Sequence, residues 1–267
     1  MTDGSPLRVA FVGWGAIAGA TADLLADSRI EIVAVATRGG ELRRPLPDGA
    51  VLLHDPSDLA AAEPDLVAEV ASANSVGPWG LAAFAAGADY LITSTAALTD
   101  SELLSSLRTA AAVAGRQVCL HPGALAGIDG LAAARLMGLE RVQHTIIKPP
   151  KAWRGTDAEK LCDLDGLTEP VSFFTGSAAD AASTFPKNAN STMTTALAGV
   201  GPERTEVVLV ADPDAPGNRH QIRAEGGFGE LDLAITNNPL PDNPKSSAMT
   251  ALSLARAIEG RSTPLVI

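Results

Sequence analysis

This 267-residue chain is poor in cysteine, in aromatic side chains and in positive charge. Two cysteines, Cys119 and Cys162, are too few for a disulfide framework, and no Cys/His cluster has metal-ligand spacing. We therefore expect a reducing, cytoplasmic compartment and no metal site. The formal net charge of −11 argues against nucleic acid as a partner, because binding phosphates requires a basic face.

Long apolar runs are missing as well. No run approaches the ~18 residues that a membrane-spanning helix needs, and residues 1–6 lack the basic and apolar regions of a secretory signal. We therefore expect no membrane partner. What is present is a globular composition, 46% hydrophobic and 19% charged, in a chain long enough for two modest domains.

Apolar strand patterns alternate with helical patterns through residues 1–120. The predicted strands are Arg8–Val12, Ile30–Ala36, Leu66–Val70, Tyr90–Thr93 and Gln117–Leu120. The predicted helices are Ile17–Ala26, Val76–Ala86 and Asp100–Ala114. This alternation predicts an α/β fold with a Rossmann-type, doubly wound parallel sheet, which is a nucleotide-binding architecture.

The pattern changes at residue 121. Residues 121–245 are predicted to form a second, α+β domain with a mostly antiparallel sheet, because successive strands follow one another with turns instead of crossover helices. Its predicted strands are Arg141–Ile147, Thr205–Ala211, Arg219–Glu225 and Glu230–Thr236. Its predicted helices are Ile128–Met137 and one beginning after Pro186. A final helix, within 246–260, is expected to pack back on the first domain. The polar stretch Lys151–Pro170 has no clear periodicity, and a substrate lid is one hypothesis for it.

A glycine turn joins the first predicted strand to the first predicted helix. Gly13 permits a tight turn, and Gly15 lets the backbone approach a pyrophosphate, while Ala16 and Ile17 begin the helix whose N–H groups would hold that anion. Gly-x-Gly is a weak motif alone, but a strand before it and a helix after it predict dinucleotide binding. An ordinary glycine turn is the alternative.

The end of the second predicted strand bears on which dinucleotide binds. NAD selectivity comes from an acidic residue there, but this strand ends in Thr37-Arg38. A hydroxyl and a guanidinium suit a 2′-phosphate, so we expect NADP to be preferred or both cofactors to be used. The alternative is that Arg38 is a solvated loop residue without a role in binding. Glu41 could supply the acidic residue after a loop excursion, so NAD use stays open.

Three segments of the second half carry candidate chemistry. His121–Asp129 follows a strand end and offers Ala124 as a main-chain contact to the cofactor; Thr184–Asn190 places Lys187 near a helix start; and Gly217–Ile222 places His220 on an apolar strand face. Their ordinary alternatives are an interdomain turn, exposed capping residues and a satisfied core histidine. The other histidines, His54, His144 and His121, are weaker candidates.

Together these segments resemble the L-aspartate dehydrogenase family. The matching stretches run in order over almost the whole chain and are Gly13–Gly19, Gly123–Asp129, Lys148–Pro150, Thr184–Asn190, Asn218 with His220, and Asp242–Ser247. The resemblance implies NAD(P)-dependent oxidative deamination of L-aspartate to iminoaspartate, which yields oxaloacetate and ammonia or enters pyridine nucleotide biosynthesis. It also implies a homodimer with the second domain's sheet at the interface. By position, His220 matches the family's catalytic histidine, and Ala124 and Asn190 match its cofactor contacts.

A dicarboxylate substrate also requires cations. The candidate cations are Lys148, Lys187 and Lys245, and Arg154 is a weaker candidate. The alternative for each of them is an ordinary surface charge. A histidine titrating near neutral pH suits the proton transfers of the reaction. Two other functions stay open: a related two-domain NAD(P) oxidoreductase acting on another amino or imino acid, and a non-enzymatic NAD(P)(H) redox sensor.

Overall fold

The structure, a computed structural model, describes residues 5–39, 42 and 44–266, and for Pro244 and Lys245 it describes the backbone alone. The chain divides into two compact units. The first unit comprises Met1–Gly123, Leu240–Ser246 and Thr250–Ile267, and the second comprises Ala124–Pro239 and Ser247–Met249. No helix in the described ranges is long and apolar enough to cross a membrane.

The secondary structure elements follow one another in both units. The strands are β1 (Leu7–Val12), β2 (Ile30–Ala36), β3 (Val51–Leu53), β4 (Leu66–Glu69), β5 (Asp89–Ile92), β6 (Val118–Leu120), β7 (Leu139–Lys148), β8 (Val171–Ser177), β9 (Glu206–Ala211), β10 (Asn218–Gly226), β11 (Gly229–Asn237), β12 (Pro239–Leu240) and β13 (Asn243–Ser247). The helices are α1 (Ala16–Leu24), α2 (Ala73–Ala85), α3 (Ser101–Ala114), α4 (Ile128–Ala134), α5 (Ala158–Leu161), α6 (Ala178–Thr184), α7 (Ala189–Ala198) and α8 (Ala248–Glu259).

The first unit contains a six-stranded sheet in the order β3-β2-β1-β4-β5-β6. All its strand pairs are parallel, and the chain order reverses between β1 and β4, as in a doubly wound fold. The predicted Rossmann-type sheet is thus confirmed. The edge strand β3 was not predicted, because three residues are too short for a periodic signal.

Helix α8, the last of the chain, completes the core of the first unit. Leu254, Ala255 and Ile258 belong to the same buried cluster as Val9 and Phe11 of β1. The hydroxyl of Thr21 in α1 also donates to the carbonyl of Ala251 at 3.4 Å. The first unit is therefore assembled from both ends of the sequence.

The second unit contains a five-stranded sheet in the order β11-β10-β7-β9-β8. The β7–β9 pair is parallel and the other pairs are antiparallel, so the sheet is mixed, in agreement with the predicted α+β fold. Strand β8 and helix α6 were not predicted; β8 directly follows the polar stretch Lys151–Pro170, which contains only short helical turns and α5. The lid hypothesis for that stretch stays a prediction.

One face of this sheet is buried. Along β10 the burial alternates, so that His220, Ile222 and Ala224 are buried while Arg219 and Arg223 are exposed, as the strand periodicity predicted. On the neighbouring β7, His144 is completely buried between Val142 and Ile146, which belong to two apolar clusters. Two imidazoles are therefore set into an otherwise apolar layer.

Candidate active site

The glycine turn of the first unit has the shape of an anion cradle. Gly13 has φ of +99°, and a Cβ there would lie 2.8 Å from the carbonyl oxygen of Val70, so only glycine fits. A Cβ on Gly15 would meet nothing within 4 Å, and Gly15 caps α1 without a side-chain hydrogen bond. The N–H groups of Ala16 and Ile17 thus begin a helix whose positive end lies beside open space, which suits a pyrophosphate.

The end of β2 carries the predicted cofactor-selecting residues. Thr37 is half-buried, and its carbonyl accepts a hydrogen bond of 2.9 Å from Nδ1 of His54. Arg38 is exposed. Glu41 lies outside the described residues. The strand thus ends in a hydroxyl and a solvent-facing guanidinium.

A buried carboxylate, which the sequence analysis missed, ties together two loops at the carboxyl edge of the same sheet. Glu69, at the end of β4, is completely buried and accepts five hydrogen bonds of 2.8–3.0 Å. The donors are the backbone N–H groups of Ala71, Ser72 and Ser94 and the hydroxyls of Ser75 and Ser94. An acidic residue inside an apolar strand pattern was the available signal.

His121 is a core histidine of the first unit. Its Nε2 lies 2.9 Å from the hydroxyl oxygen of Thr93, and its Nδ1 lies 2.9 Å from that of Ser253. Burial lowers the pKa of His121 to about 4. With both ring nitrogens engaged, His121 links the ends of β5 and β6 to α8.

The second unit brings His220 and His144 together. They are diagonal neighbours on the buried face of β10 and β7, because His220 pairs with Ile146 and His144 pairs with Ile222. Nδ1 of His220 lies 3.0 Å from Nε2 of His144. Nε2 of His220 lies 3.0 Å from Nδ2 of Asn218, whose Oδ1 is buried and lacks a hydrogen-bond partner in the part of the chain that the structure describes.

The pKa of His220 differs from the expectation. Burial, followed by the neighbouring His144 and the charge of Lys148, lowers the pKa of His220 well below its usual value. The predicted titration of His220 near neutral pH is therefore wrong for this structure. His220 is a neutral imidazole at neutral pH.

Lys148 is the charged partner of this site. At the end of β7 it is largely enclosed: Nζ donates to Oδ1 of Asn188 and lies 4.8 Å from the ring centroid of Trp153. Burial and the nearby Lys187 lower the pKa of Lys148 to about 8. Lys148 therefore influences His220 and is itself influenced by Lys187, which places three of the candidate groups in one electrostatic neighbourhood.

The remaining candidates lie as follows. Lys187 is exposed in the turn before α7, and Asn190 is exposed in the first turn of α7. The carbonyl of Ala124 accepts a hydrogen bond of 2.9 Å from Nδ2 of Asn237. The side chain of Lys245 lies outside the described residues. Arg154 is exposed and forms an ion pair with Asp165, so its charge is already matched locally.

Three site residues escaped the sequence analysis. His144 was ranked low as a mid-strand histidine, although its separation by one residue from Ile146 puts both on one strand face. Asn188 lay within the candidate segment Thr184–Asn190 but was given no role of its own, and Trp153 stood in the polar stretch Lys151–Pro170, which has no clear periodicity. The pairing of β7 with β10 reveals the contact of His144 with His220, the placement of α7 reveals that of Asn188 with Lys148, and the turn after β7 reveals that of Trp153 with Lys148.

Two family models match the chain. "Homoserine dehydrogenase, NAD binding domain" matches residues 13–121, and "Aspartate dehydrogenase, C-terminal" matches residues 129–261. Together they cover the glycine turn and the site around His220.

Curated relatives match along nearly the full length. The chain is 50% identical to L-aspartate dehydrogenase of Brucella anthropi, covering 97% of this chain and 98% of that protein. It is 41% identical to L-aspartate dehydrogenase of Ruegeria pomeroyi, covering 97% and 94%. Among solved structures, aspartate dehydrogenase of Thermotoga maritima superposes with a TM-score of 0.78 at 26% identity, covering 98% of this chain and 99% of that one.

Proposed function

This chain belongs to the L-aspartate dehydrogenase family and is an oxidoreductase with a nicotinamide cofactor, and on that premise we propose that it oxidatively deaminates L-aspartate. The products are iminoaspartate and, after hydrolysis, oxaloacetate and ammonia, in a reversible reaction. One observation carries the proposal for the second unit. A neutral, buried imidazole, His220, shares an electrostatic neighbourhood with a lysine ammonium, Lys148.

The cofactor fits the residues that are present. Gly13 and Gly15 leave room for a pyrophosphate at the start of α1, where Ala16 and Ile17 offer backbone N–H groups. The nicotinamide, when bound, accepts the hydride from the α-carbon of the substrate. In the second unit, Ala124 and Asn190 are the proposed contacts to the cofactor, by their family positions.

His220 is the proposed general base and acid. Its Nε2 accepts the proton released from the substrate amine or from the attacking water, and returns it in the reverse reaction. The strongly lowered pKa of His220 leaves its imidazole unprotonated and able to accept a proton, although it is a weak base. Two substrate carboxylates bring negative charge toward the imidazole, and this raises its pKa toward the working range.

The lysines supply the cations for a dicarboxylate. Lys148, held by Asn188 and Trp153, is preorganised to bind one carboxylate, and the exposed Lys187 is close enough to influence it. We propose that these two side chains bind the substrate carboxylates, with Lys245 as a third candidate. A cation fixed before binding loses little rotamer entropy when the substrate arrives.

The proposed cofactor preference is NADP over NAD, or use of both. It rests on Thr37 and Arg38 at the end of β2, where no described carboxylate stands ready for a ribose 2′-hydroxyl. The test compares kcat/KM for NADP+ and NAD+ in wild type and R38A. We expect R38A to lose efficiency with NADP+ selectively, and an unchanged ratio would remove Arg38 from this role.

The function itself is tested by following reduced-nicotinamide absorbance. Wild type is supplied with L-aspartate, with D-aspartate, and with oxaloacetate plus ammonia. We expect activity with the L-isomer and in the amination direction, and a kcat lower by at least ~100-fold in H220A with cofactor affinity retained. No change in absorbance with any of these substrates would overturn the proposal, and it would favour a related amino or imino acid as substrate or a redox sensor.

The assembly and setting are proposals of the same kind. We propose a cytoplasmic homodimer that serves pyridine nucleotide biosynthesis. The outward face of the second unit's sheet supports the dimer, because Thr145, Ile147, Val208 and Val210 on that face are half-buried and mostly apolar. Light scattering coupled to size exclusion would refute the dimer by giving a monomer mass.

A further inference from the structure

A chain of four polar side chains runs through the apolar layer behind the proposed base. Nδ2 of Asn218 lies 3.0 Å from Nε2 of His220, and Nδ1 of His220 lies 3.0 Å from Nε2 of His144. Nδ1 of His144 lies 3.0 Å from the hydroxyl oxygen of Thr195 in α7. The chain ends on the backbone, because this hydroxyl lies 3.2 Å from the carbonyl oxygen of Ser191.

The direction of each hydrogen bond follows from the group at the end of this chain of side chains, the carbonyl of Ser191. A carbonyl oxygen only accepts, so the single hydroxyl proton of Thr195 is donated to Ser191. The oxygen of Thr195 must then accept from Nδ1–H of His144, which leaves Nε2 of His144 as an acceptor. Nδ1 of His220 must therefore carry a hydrogen and donate it. The amide Nδ2 of Asn218 only donates, and it faces the unprotonated Nε2 of His220 in agreement with this direction.

We propose that His144 and Thr195 are positioning residues that hold His220 in the tautomer with its hydrogen on Nδ1. This inference rests on the proposed function, in which Nε2 of His220 exchanges protons with the substrate. A neutral imidazole has one basic nitrogen, and the wrong tautomer presents an N–H where a base is needed. This hydrogen-bonded relay, formed by Asn218, His220, His144 and Thr195, therefore decides which ring nitrogen of His220 is unprotonated before the substrate arrives.

The burial of the relay makes this control strong. His144 and Thr195 are completely buried, and His220 is 3% exposed, so none of these groups exchanges its partner for bulk water. Burial also lowers the pKa of His144 to about 3, and His144 therefore stays neutral. The opposite direction would require Thr195 to release the carbonyl of Ser191 and Asn218 to rotate its carboxamide.

Thr195 gives the sharpest test, since it is completely buried and reaches His220 only through His144. In T195V, which is nearly isosteric, Nδ1–H of His144 loses its acceptor, so the favoured tautomer of His144 carries its hydrogen on Nε2 and donates to His220. The hydrogen of His220 then moves to Nε2, and the carboxamide of Asn218 rotates so that its Oδ1, which has no partner among the described residues, accepts it. T195S keeps the acceptor, and T192V is the matched control because Thr192 is equally buried in α7 and bonds only to helix carbonyls.

The first readout is the tautomer itself. The chain has four histidines, so a protein labelled with ¹⁵N-histidine gives four ring spectra in long-range ¹H–¹⁵N correlation experiments, and H220A identifies that of His220. We expect hydrogen on Nδ1 of His220 in wild type, T195S and T192V, and on Nε2 in T195V. Hydrogen on Nε2 in wild type, or the same tautomer in T195V, would overturn the inference.

The second readout is kinetic. We expect kcat for L-aspartate to fall at least about tenfold in T195V, with cofactor KM unchanged, and to be retained in T195S and T192V. If T195V does not fold, H144L serves, because leucine offers no acceptor to Nδ1 of His220, and a mixture of the two tautomers of His220 is then expected. Full kcat in the substituted protein would refute the relay. If wild type lacks aspartate activity, the function fails, while the tautomer spectra still test the relay.

Discussion

The buried histidines predict that acid destabilises this protein well above the pH at which its carboxylates titrate. In the unfolded chain a histidine has a pKa of 6.5, whereas burial lowers the pKa to about 4 for His121 and to about 3 for His144. The unfolded state therefore binds more protons than the folded state below pH ~6.5. Stability is highest above that pH and falls as the pH drops toward the folded pKa values.

The size of this loss can be worked out for each side chain. Between about pH 7.5 and about pH 5.5, a histidine with these two pKa values lowers the free energy of unfolding by about 1.4 kcal/mol. His121 and His144 together then cost about 3 kcal/mol, and His220, whose pKa is lowered in the same direction, adds to it. Carboxyl groups with lowered pKa values, such as those of Asp23 and Asp232, stay ionised throughout this window.

The assay is urea unfolding across this pH range, followed by fluorescence of the three tryptophans and by far-ultraviolet circular dichroism. H144Q should recover about 1.4 kcal/mol of the loss, because it removes one buried titratable group. T192V, which alters a buried side chain without removing a titratable group, is the control and should keep the wild-type pH dependence. Equal stability of wild type at the two ends of the range, or a change of the pH dependence in T192V as large as that in H144Q, would refute the reasoning.

Three further predictions concern single side chains. G13A should lower the free energy of unfolding by about 2–4 kcal/mol, because the backbone at Gly13 has a positive φ and no room for Cβ. G15A should keep the wild-type melting temperature, because a Cβ at Gly15 meets no other atom, but it should weaken cofactor binding in a titration. E69Q should cost about 1–3 kcal/mol in thermal or urea unfolding, because an amide nitrogen replaces one of the two acceptors, and an unchanged stability would contradict the five hydrogen bonds. In wild type, kcat/KM for L-aspartate should fall above pH ~8, because Lys148 deprotonates there. In K148R it should stay level over the same range, because the guanidinium stays charged. A parallel decline in both proteins would exclude Lys148 as the cation that binds the substrate.

The sequence was sufficient for features that repeat along the chain. The apolar run of β1, the glycine turn and the start of α1 predicted a nucleotide-binding fold, and β2 was predicted with its observed bounds, Ile30–Ala36. His220 was placed on the inward face of β10 by period-two alternation alone. Such local patterns survive folding because the buried face of a strand must be apolar.

The sequence was insufficient wherever the environment comes from distant elements. The pKa of His220 depends on burial, on His144 from β7 and on Lys148, which lie more than 70 residues earlier in the sequence. Glu69 gains its donors from two loops that meet only when β4 and β5 pair. Likewise, Asn188 matters because α7 brings it to Lys148. None of these pairings has a local signal.

The place of α8 in the first unit has a consequence for synthesis on the ribosome. Val9 and Phe11 of β1, with α1 and the other strands of the parallel sheet, are translated well before Leu254 and Ile258, which share a core with them. At translation rates of about 5–20 residues per second, this core stays open for on the order of ten seconds. During that interval the nascent chain presents an apolar surface to chaperones, and the dinucleotide-binding unit becomes complete only after the second unit has been made.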